Sequence, residues 1–566
     1  MRSTWMISLL CVIAALACLA SSNQPYVFQP EPLERHVAVL ASDSLEGREI
    51  GTIGEWKAAQ YIISVFKSAG LSAAGSDGYL QPFEFTKRID LGRNCRLAIN
   101  GTSLQLDSEY VPLQYSASTK FDFTDVVPVD FGIRTDDSSY DDYAGKKVEG
   151  KAVLIKRYAP PAERNPHVDF TRYNTFPDKI RIALEHKAAG IFFVTPASED
   201  DTLIGFGVLR VSPKEIPIIF VKRRALERLG ISIDSPSFAS ASGETELTPV
   251  TDTGYNVLGL LPGKSDTTII LGAHYDHLGW GGPASRYTGT EKAIHPGADD
   301  NASGTAALLE LAKAFSQSPH SHSLLFAAFS GEEAGILGSS FYVRHWTVDS
   351  SKVRMMLNMD MIGRLKDQQN GLAVFGVGTA TEFKPYFDSL KADRMRLSFL
   401  EPGTGPSDHV AFYNSGIPVL HFFSGAHEDY HKPSDTPDKI DYDGLSRVTE
   451  LAASVVRHFD SLPSPLTFQR TKGTDEGKRR AEYKVTLGIM PDYTTPAKGL
   501  PVGGVTPDRP GEKAGIKKGD IIIRLGTIGI EDIYGYMSAL SKFNKGDSAT
   551  VVVVRAKDTL SLPVVF

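Results

Sequence analysis

Five apolar runs between Asn256 and Phe459 restrict the fold more than any other feature of the chain. They read NVLGLLPG, TIILGAHYDH, SLLFAAFSGEE, VRMMLNMDMIG and IPVLHFF, and several are followed by helical patterns. Strands alternating with helices argue for an α/β domain on a mostly parallel central sheet flanked by helices. In such sheets ligands bind beyond the carboxyl ends of the strands, where residues distant in sequence converge. Several of the runs deliver residues able to bind metal there. They are His274 and Asp276, Glu332 and Glu333, Asp360 and, through SGAHEDYHKPSDT, His431.

Each of these residues has an ordinary explanation when taken alone. HPGADDNASGTAALLELAKAF places Asp299 and Asp300 at the entrance of a helix expected from Gly304 to Phe315, where an Asp is commonly an N-cap. A lone loop histidine is usually just polar. Glu332 and Glu333 stand side by side where a buried strand ends, although neighbouring carboxylates repel and lose solvation on leaving water. That pair reads either as a solvated turn or as part of a site with enough positive charge to hold both. Joint placement decides for the site, since neutral imidazole and carboxylate are the usual nitrogen and oxygen ligands of zinc.

With 566 residues the chain exceeds one ordinary domain, and two to four are expected. EWKAAQYIISVFKSAG, with Ala58, Ile62, Val65 and Ala69 on one face and Gly70 to end it, is an amphipathic helix. From about Leu106 to Val250 short β-like runs such as FTDVVPVDFGI and GKAVLIKRY surround one helical stretch, DKIRIALEHKAAG, which leads into IFFVT; this is a β-rich module inserted in the main domain. SLPSPLTFQRTKGTDEGKRR is a linker by its proline and charge content, and short strands return from Tyr483 to Phe566. The expected division is a signal peptide at 1–22, two parts of the main domain at 23–104 and 251–460, the insert at 105–250, the linker at 461–480 and a C-terminal module at 481–566.

A chain 42% hydrophobic and 22% charged is of the soluble globular kind, and its net charge of -7 gives no reason to expect nucleic acid as a partner. MRSTWMISLLCVIAALACLASS reads as a secretory signal: Arg2, an apolar stretch from Met6 to Leu16 that is short for a membrane span, then small residues. ALAC, ending at Cys18, also resembles a bacterial lipoprotein cleavage site and adds a lipid anchor as an alternative. The expected location is therefore extracytoplasmic: periplasm, cell envelope or medium. Cys11 and Cys18 lie in the leader, so Cys95 alone is left for the mature fold, which must manage without internal disulfides.

The ordered segments HYDH, GADDNASG, GEE, NMDMIG and DYHKPSDT together resemble the co-catalytic dizinc exopeptidases, the aminopeptidase Y and glutamate carboxypeptidase-like metallopeptidases. The likeness covers about Glu34 to Asp90 and Thr253 to Asp460. It implies two Zn2+ ions, one on His274 and Asp360, the other on Glu333 and His431, with Asp300 bridging them. Asp300 takes that place, rather than Asp299, because the bridging Asp of the pattern directly precedes an Asn, here Asn301. Asp276 would accept the N–H of His274, Glu332 would be the general base that takes a proton from a zinc-bridging water, and Tyr430 would polarise the substrate carbonyl. The implied activity is zinc-dependent removal of N-terminal residues from peptides with a free N-terminus. One departure stands out: before SDHVAF, where some aminopeptidases of this kind carry a substrate-contacting arginine, this chain has Pro406.

The inserted segments DYAGKKVEGKAVLIKR and KIRIALEHKAAGIFFVT resemble a protease-associated domain, implying a role in shaping the cleft or a passive insert. LGIMPDY and GLPVGGVTPDRPGEKAGIKKGDIIIRLG resemble a PDZ domain, with KGLPVGGV as the expected loop for capturing the carboxylate of a peptide or protein C-terminus. Carboxypeptidase, dipeptidase or glutaminyl cyclase chemistry on the same scaffold, and a binding protein without catalysis, are the alternative readings.

Overall fold

The computed structural model describes residues 26–135, 138–161, 164, 170–204, 214–233, 240–390, 394–471, 485–493, 495, 497–506, 509–531, 533–540, 542–543 and 546–566. The expected signal peptide with Cys18, and 472–480 of the expected linker, lie outside them.

The described residues start with two helices, α1 (Pro30–Leu40) and α2 (Ile53–Ser68), and two strands, β1 (Ser72–Ala73) and β2 (Leu80–Leu91). Pro30 opens α1 where a missing N–H costs nothing, and the Thr52 hydroxyl caps α2 by accepting the Glu55 N–H.

The insert follows as β3 (Arg96–Ile99), β4 (Thr102–Leu104), β5 (Tyr110–Pro112), β6 (Thr119–Phe123), β7 (Val126–Pro128), β8 (Ala152–Lys156), α3 (Phe176–Glu185), β9 (Gly190–Val194), β10 (Ile218–Val221), α4 (Arg223–Arg228) and β11 (Ala241–Thr245). It forms two sheets, β5-β10-β9-β8-β7 and β4-β3-β11-β6. Residues alternate along β8 and β9. Leu154, Phe192 and Val194 join Leu97 and Ile99 in one core, while Val153, Ile155, Ile191 and Phe193 pack with Ile180 and Ala183 of α3 in a second.

The expected start of the insert at residue 105 is corrected by this pairing. β3 and β4 are a hairpin of the insert's own sheet, closed by Asn100 and Gly101, both at positive φ, so the insert's first strands lie within 96–104. An Asn-Gly pair between short apolar runs is a strong local hairpin signal. The expected end at 250 also falls inside a strand of the main sheet.

That sheet is completed by β12 (Leu247–Leu261), β13 (Thr268–His274), α5 (Gly304–Ser316), β14 (Ser323–Phe329), α6 (Leu337–Tyr342), β15 (Val353–Met359), β16 (Gly371–Phe375), α7 (Phe383–Ser389), β17 (Arg396–Leu400), α8 (His409–Asn414), β18 (Val419–Phe423) and α9 (Tyr442–Ser461). Its strand order is β1-β12-β14-β13-β15-β18-β16-β17, with β2 also on β12. The four central strands β14, β13, β15 and β18 are parallel, and antiparallel pairs lie outside them. Every residue of β13 and β15 is buried, as expected for strands covered on both faces. Ile269 and Leu271 face α1, α2, α5 and α9; Ile270 faces a second core with Tyr342 of α6 and Phe412 of α8. This is an α/β fold of helices on both faces of a sheet parallel at its centre.

The first part of the expected linker packs on this domain. Arg354 donates to the carbonyl of Leu462, and Thr467 donates to Glu382.

The C-terminal module contains β19 (Ile489–Pro491), β20 (Leu500–Val505), α10 (Pro510–Lys513), β21 (Ile521–Leu525), β22 (Ile528–Gly529), α11 (Ile533–Leu540), β23 (Ser548–Arg555) and β24 (Asp558–Val565), in the order β19-β20-β21-β23-β24. The expected carboxylate loop in KGLPVGGV is corrected here. Leu500–Val505 is an interior strand with β19 on one side and β21 on the other, so its main chain has no free edge for a peptide. Among the described residues the edge strand at that end of the sheet is β19, formed by the earlier LGIMPDY segment.

Candidate active site

Because β14, β13, β15 and β18 run parallel, their carboxyl ends share one edge, and their sequences place chemistry there. His274 is the last residue of β13. Asp360 directly follows β15, and Glu332 and Glu333 follow β14 after Ser330 and Gly331. Asp300 comes from the segment between β13 and α5, and His431 from the loop beyond β18, with φ of 59°.

These residues form two groups that share Asp300. His274 Nε2 lies 3.4 Å from Asp300 Oδ1 and 3.3 Å from Asp360 Oδ1. His431 Nε2 lies 3.3 Å from Asp300 Oδ2 and 3.1 Å from Glu333 Oε2. The second group gains a residue that the sequence reading passes over: His277 Nδ1 is 2.8 Å from Glu333 Oε1 and 3.9 Å from Asp300 Oδ2. Both ring nitrogens of His277, Nε2 of His431 and Oε1 of Glu333 are buried without a hydrogen-bond partner. Buried polar atoms are rarely left so, and donors that converge without bonding to one another fit a cation between them. Two such groups, His274–Asp300–Asp360 and His277–Asp300–Glu333, can each hold a metal ion.

Charge balance leads to the same conclusion. Asp300, Glu332, Glu333 and Asp360 crowd together. Although burial works against it, Asp360 and Asp300 hold His274 above its ordinary pKa while Asp300 and Glu333 push His431 up to about 11, which still leaves four carboxylates against two such imidazoles. Burial, reinforced by Glu333, Asp360 and Asp408, pushes the Glu332 carboxyl well up. Divalent cations in this donor set would supply the missing positive charge.

Asp299 turns away from the cluster. Its Oδ1 accepts the Gly363 N–H at 2.6 Å, and its Oδ2 lies 3.2 Å from His427 Nε2. Asp435 accepts the N–H groups of Asp299 and Asp300 at 3.0 and 3.1 Å, fixing the turn that presents Asp300. Ser407 donates to Asp360 Oδ2 at 2.8 Å, and Asn358 donates to Ser407 in turn.

His274 meets both the main chain and the side chain of Asp276. Nδ1 of His274 faces the main-chain oxygen of Asp276 at 3.2 Å, and the carboxylate stands at 3.6 Å. That carboxylate accepts the Glu332 N–H at 3.1 Å, tying the ends of β13 and β14 together. Tyr430 stacks on His431 with ring centroids 3.8 Å apart. Burial and the nearby carboxylates of Asp300, Glu333 and Glu332 keep its hydroxyl protonated.

Beneath the cluster lies Arg48, fully buried. It donates to the carbonyls of Tyr275 (2.7 Å), Pro296 (2.7 Å), Gly297 (3.0 Å) and Leu40. One side chain thus links the segments carrying His274, His277 and Asp300. A Cβ on neighbouring Gly47 would meet the carbonyls of Gly279 and His295 at 2.5 and 2.6 Å, which leaves room only for glycine in this packing. No local pattern announces a buried arginine, whereas His277 stands in plain view within HYDH.

Comparison with known proteins shows what the chain is similar to. The profile of peptidase family M28 matches residues 256–456, and that of a PDZ domain matches residues 479–565. A probable leucine aminopeptidase of Trichophyton verrucosum is 33% identical over 175 residues, 29% of this chain and 44% of the relative. Aminopeptidase YwaD of Bacillus subtilis is 29% identical over 218 residues, 36% of this chain and 44% of the relative. Leupeptin-inactivating enzyme 1 of Streptomyces exfoliatus is 34% identical over 194 residues, 33% of this chain and 39% of the relative. The chain spans about half the length of the curated relatives it matches, or less. Among solved structures, an aminopeptidase from Aneurinibacillus sp. strain AM-1 aligns over 79% of this chain and 97% of its own, at 23% identity and a TM-score of 0.47. The chain thus carries a peptidase family M28 domain, matched over residues 256–456, and beyond it a PDZ domain, matched over residues 479–565.

Proposed function

We propose that this chain is a zinc-dependent aminopeptidase that removes N-terminal residues from peptides, with two zinc ions held at the ends of β13, β14, β15 and β18. One observation carries the reading: the two carboxylate oxygens of Asp300 face different histidines, His274 and His431, each backed by its own carboxylate. The M28 match and relatives named as aminopeptidases support it.

Asp300 is the shared ligand in this reading. His274 and Asp360 complete one site, and Glu333, His431 and His277 lie around the other. Zinc held by these residues would supply Lewis acidity, for the peptide carbonyl and for deprotonation of an attacking water. Glu332, whose main chain is fixed by Asp276, would take a proton from the attacking water and pass it to the leaving amine. Tyr430 keeps its proton and so can donate to the carbonyl oxygen as negative charge develops. Asp276 acts by position, through the Glu332 N–H and the His274 ring.

We read the leader at 1–22 as directing export, with Cys18 as the alternative lipid-anchor point. The insert, as a protease-associated domain, would border the cleft. The PDZ domain would take a peptide along β19. Among the described residues no helix is long and apolar enough to cross a membrane.

The test is one peptide in free and N-acetylated forms, incubated with the zinc-loaded protein and read by mass. Stepwise loss from the free N-terminus with the acetylated form spared is the expected result. Cleavage of both from the C-terminus would make the enzyme a carboxypeptidase.

A further inference from the structure

The loop from Leu278 to His295 is fastened to the His431 side of the cluster. At its base the Gly279 N–H donates to Gly47 O at 3.0 Å and the His295 N–H to Gly279 O at 2.8 Å. At its middle the Arg286 N–H donates to His431 O at 2.9 Å, and His431 Nδ1 lies 2.9 Å from Ala284 O. These bonds carry the Arg286 guanidinium over the ring of Tyr430, 5.4 Å from its centroid, and Tyr430 in turn stacks on His431. Arg286 is exposed and has no acidic partner among the described residues. A guanidinium lying on an aromatic face keeps its N–H groups free for a planar, bidentate anion such as carboxylate.

Lys292 repeats the arrangement over Trp280, at 5.2 Å, so the loop itself carries two cations and one acid, Glu291, with Glu49 against its base at Gly279. The other arginine near this side of the site, Arg364, is committed to Asp367 at 3.2 Å and to Asp429. Pro406 leaves the segment before SDHVAF without charge.

We propose, resting on the aminopeptidase reading, that Arg286 is a specificity-determining residue that recognises a substrate carboxylate close to the scissile bond. Two sources present that chemistry: an acidic side chain on the first residue, and the C-terminal carboxylate of a dipeptide.

The experiment measures kcat/KM for paired substrates that differ in one charge, on the zinc-loaded full chain. The pairs are Glu- and Gln-p-nitroanilide for the side chain, and Leu-Gly and Leu-Gly-amide for the terminus. Wild type should prefer the charged member of one pair, more strongly at low salt. Arg286→Ala, which keeps the main-chain bond to His431, should reduce that preference about five- to tenfold, and Arg286→Glu should reverse it. A shift confined to the anilides identifies the side chain, and one confined to the dipeptides identifies the terminus. Ratios unmoved in both pairs, or all four substrates losing equally, would overturn the role of Arg286 while leaving the aminopeptidase reading intact. If wild type cleaves none of the four, that reading fails and the inference falls with it.

Discussion

The two halves of the candidate metal site are built differently, although they share Asp300. The His274 half stands on strand ends. His274 closes β13, Asp360 follows β15, the ring is turned by the Asp276 carbonyl, and Ser407 holds the second oxygen of Asp360. The other half stands on loops. His431 sits at positive φ eight residues past β18, gripped through its carbonyl and its Nδ1 by the loop containing Ala284 and Arg286. His277 reaches the same half from the segment after β13. A half built on strands inherits its geometry from the buried sheet, and a half built on loops must be fixed bond by bond. The difference teaches where the molecule is rigid by architecture and where it is held bond by bond: the rim carrying Arg286 lies on the loop side.

Three substitutions test this contrast. The largest effect belongs to the residue both halves serve. Glu332→Gln should retain zinc in both halves and lower kcat by about a hundredfold to ten-thousandfold, read by steady-state kinetics beside metal content. Unchanged turnover would remove Glu332 from the base role. Next comes the loop half. His277→Ala should weaken one of two zinc sites by about ten- to a hundredfold in a chelator competition, leaving the other site unchanged. Smallest is the strand half. Ser407→Ala removes one hydrogen bond from Asp360, but β15 still presents that carboxylate, so the other zinc site should weaken by about tenfold at most. If Ser407→Ala cost more than His277→Ala, the contrast between a sheet-set and a loop-set half would be wrong.

The same contrast explains what could be read from sequence. Residues at strand ends announce themselves, because an apolar run that stops at His274 or Asp360 predicts both a strand and the position of its last side chain. The hairpin at Asn100–Gly101 is equally open to reading, yet the expected boundary at 104/105 falls just after its second strand, because the change in residue texture lags behind the turn that starts the insert's sheet. His277 is visible in HYDH, but only the fold shows that the chain after Asp276 turns back toward Glu333. Arg48 is illegible in sequence: its partners are four main-chain carbonyls, which carry no residue identity. The glycine-rich KGLPVGGV segment misleads for a related reason. Composition suggests a loop, and pairing on both sides makes it an interior strand.

The most direct test of the account is zinc bound per chain after equilibrium dialysis, measured for wild type and for Glu333→Ala. Two ions in wild type and one in the variant are predicted, since Asp300 would still serve the His274 half. A single ion in wild type, or two retained without Glu333, would contradict a cluster divided about Asp300.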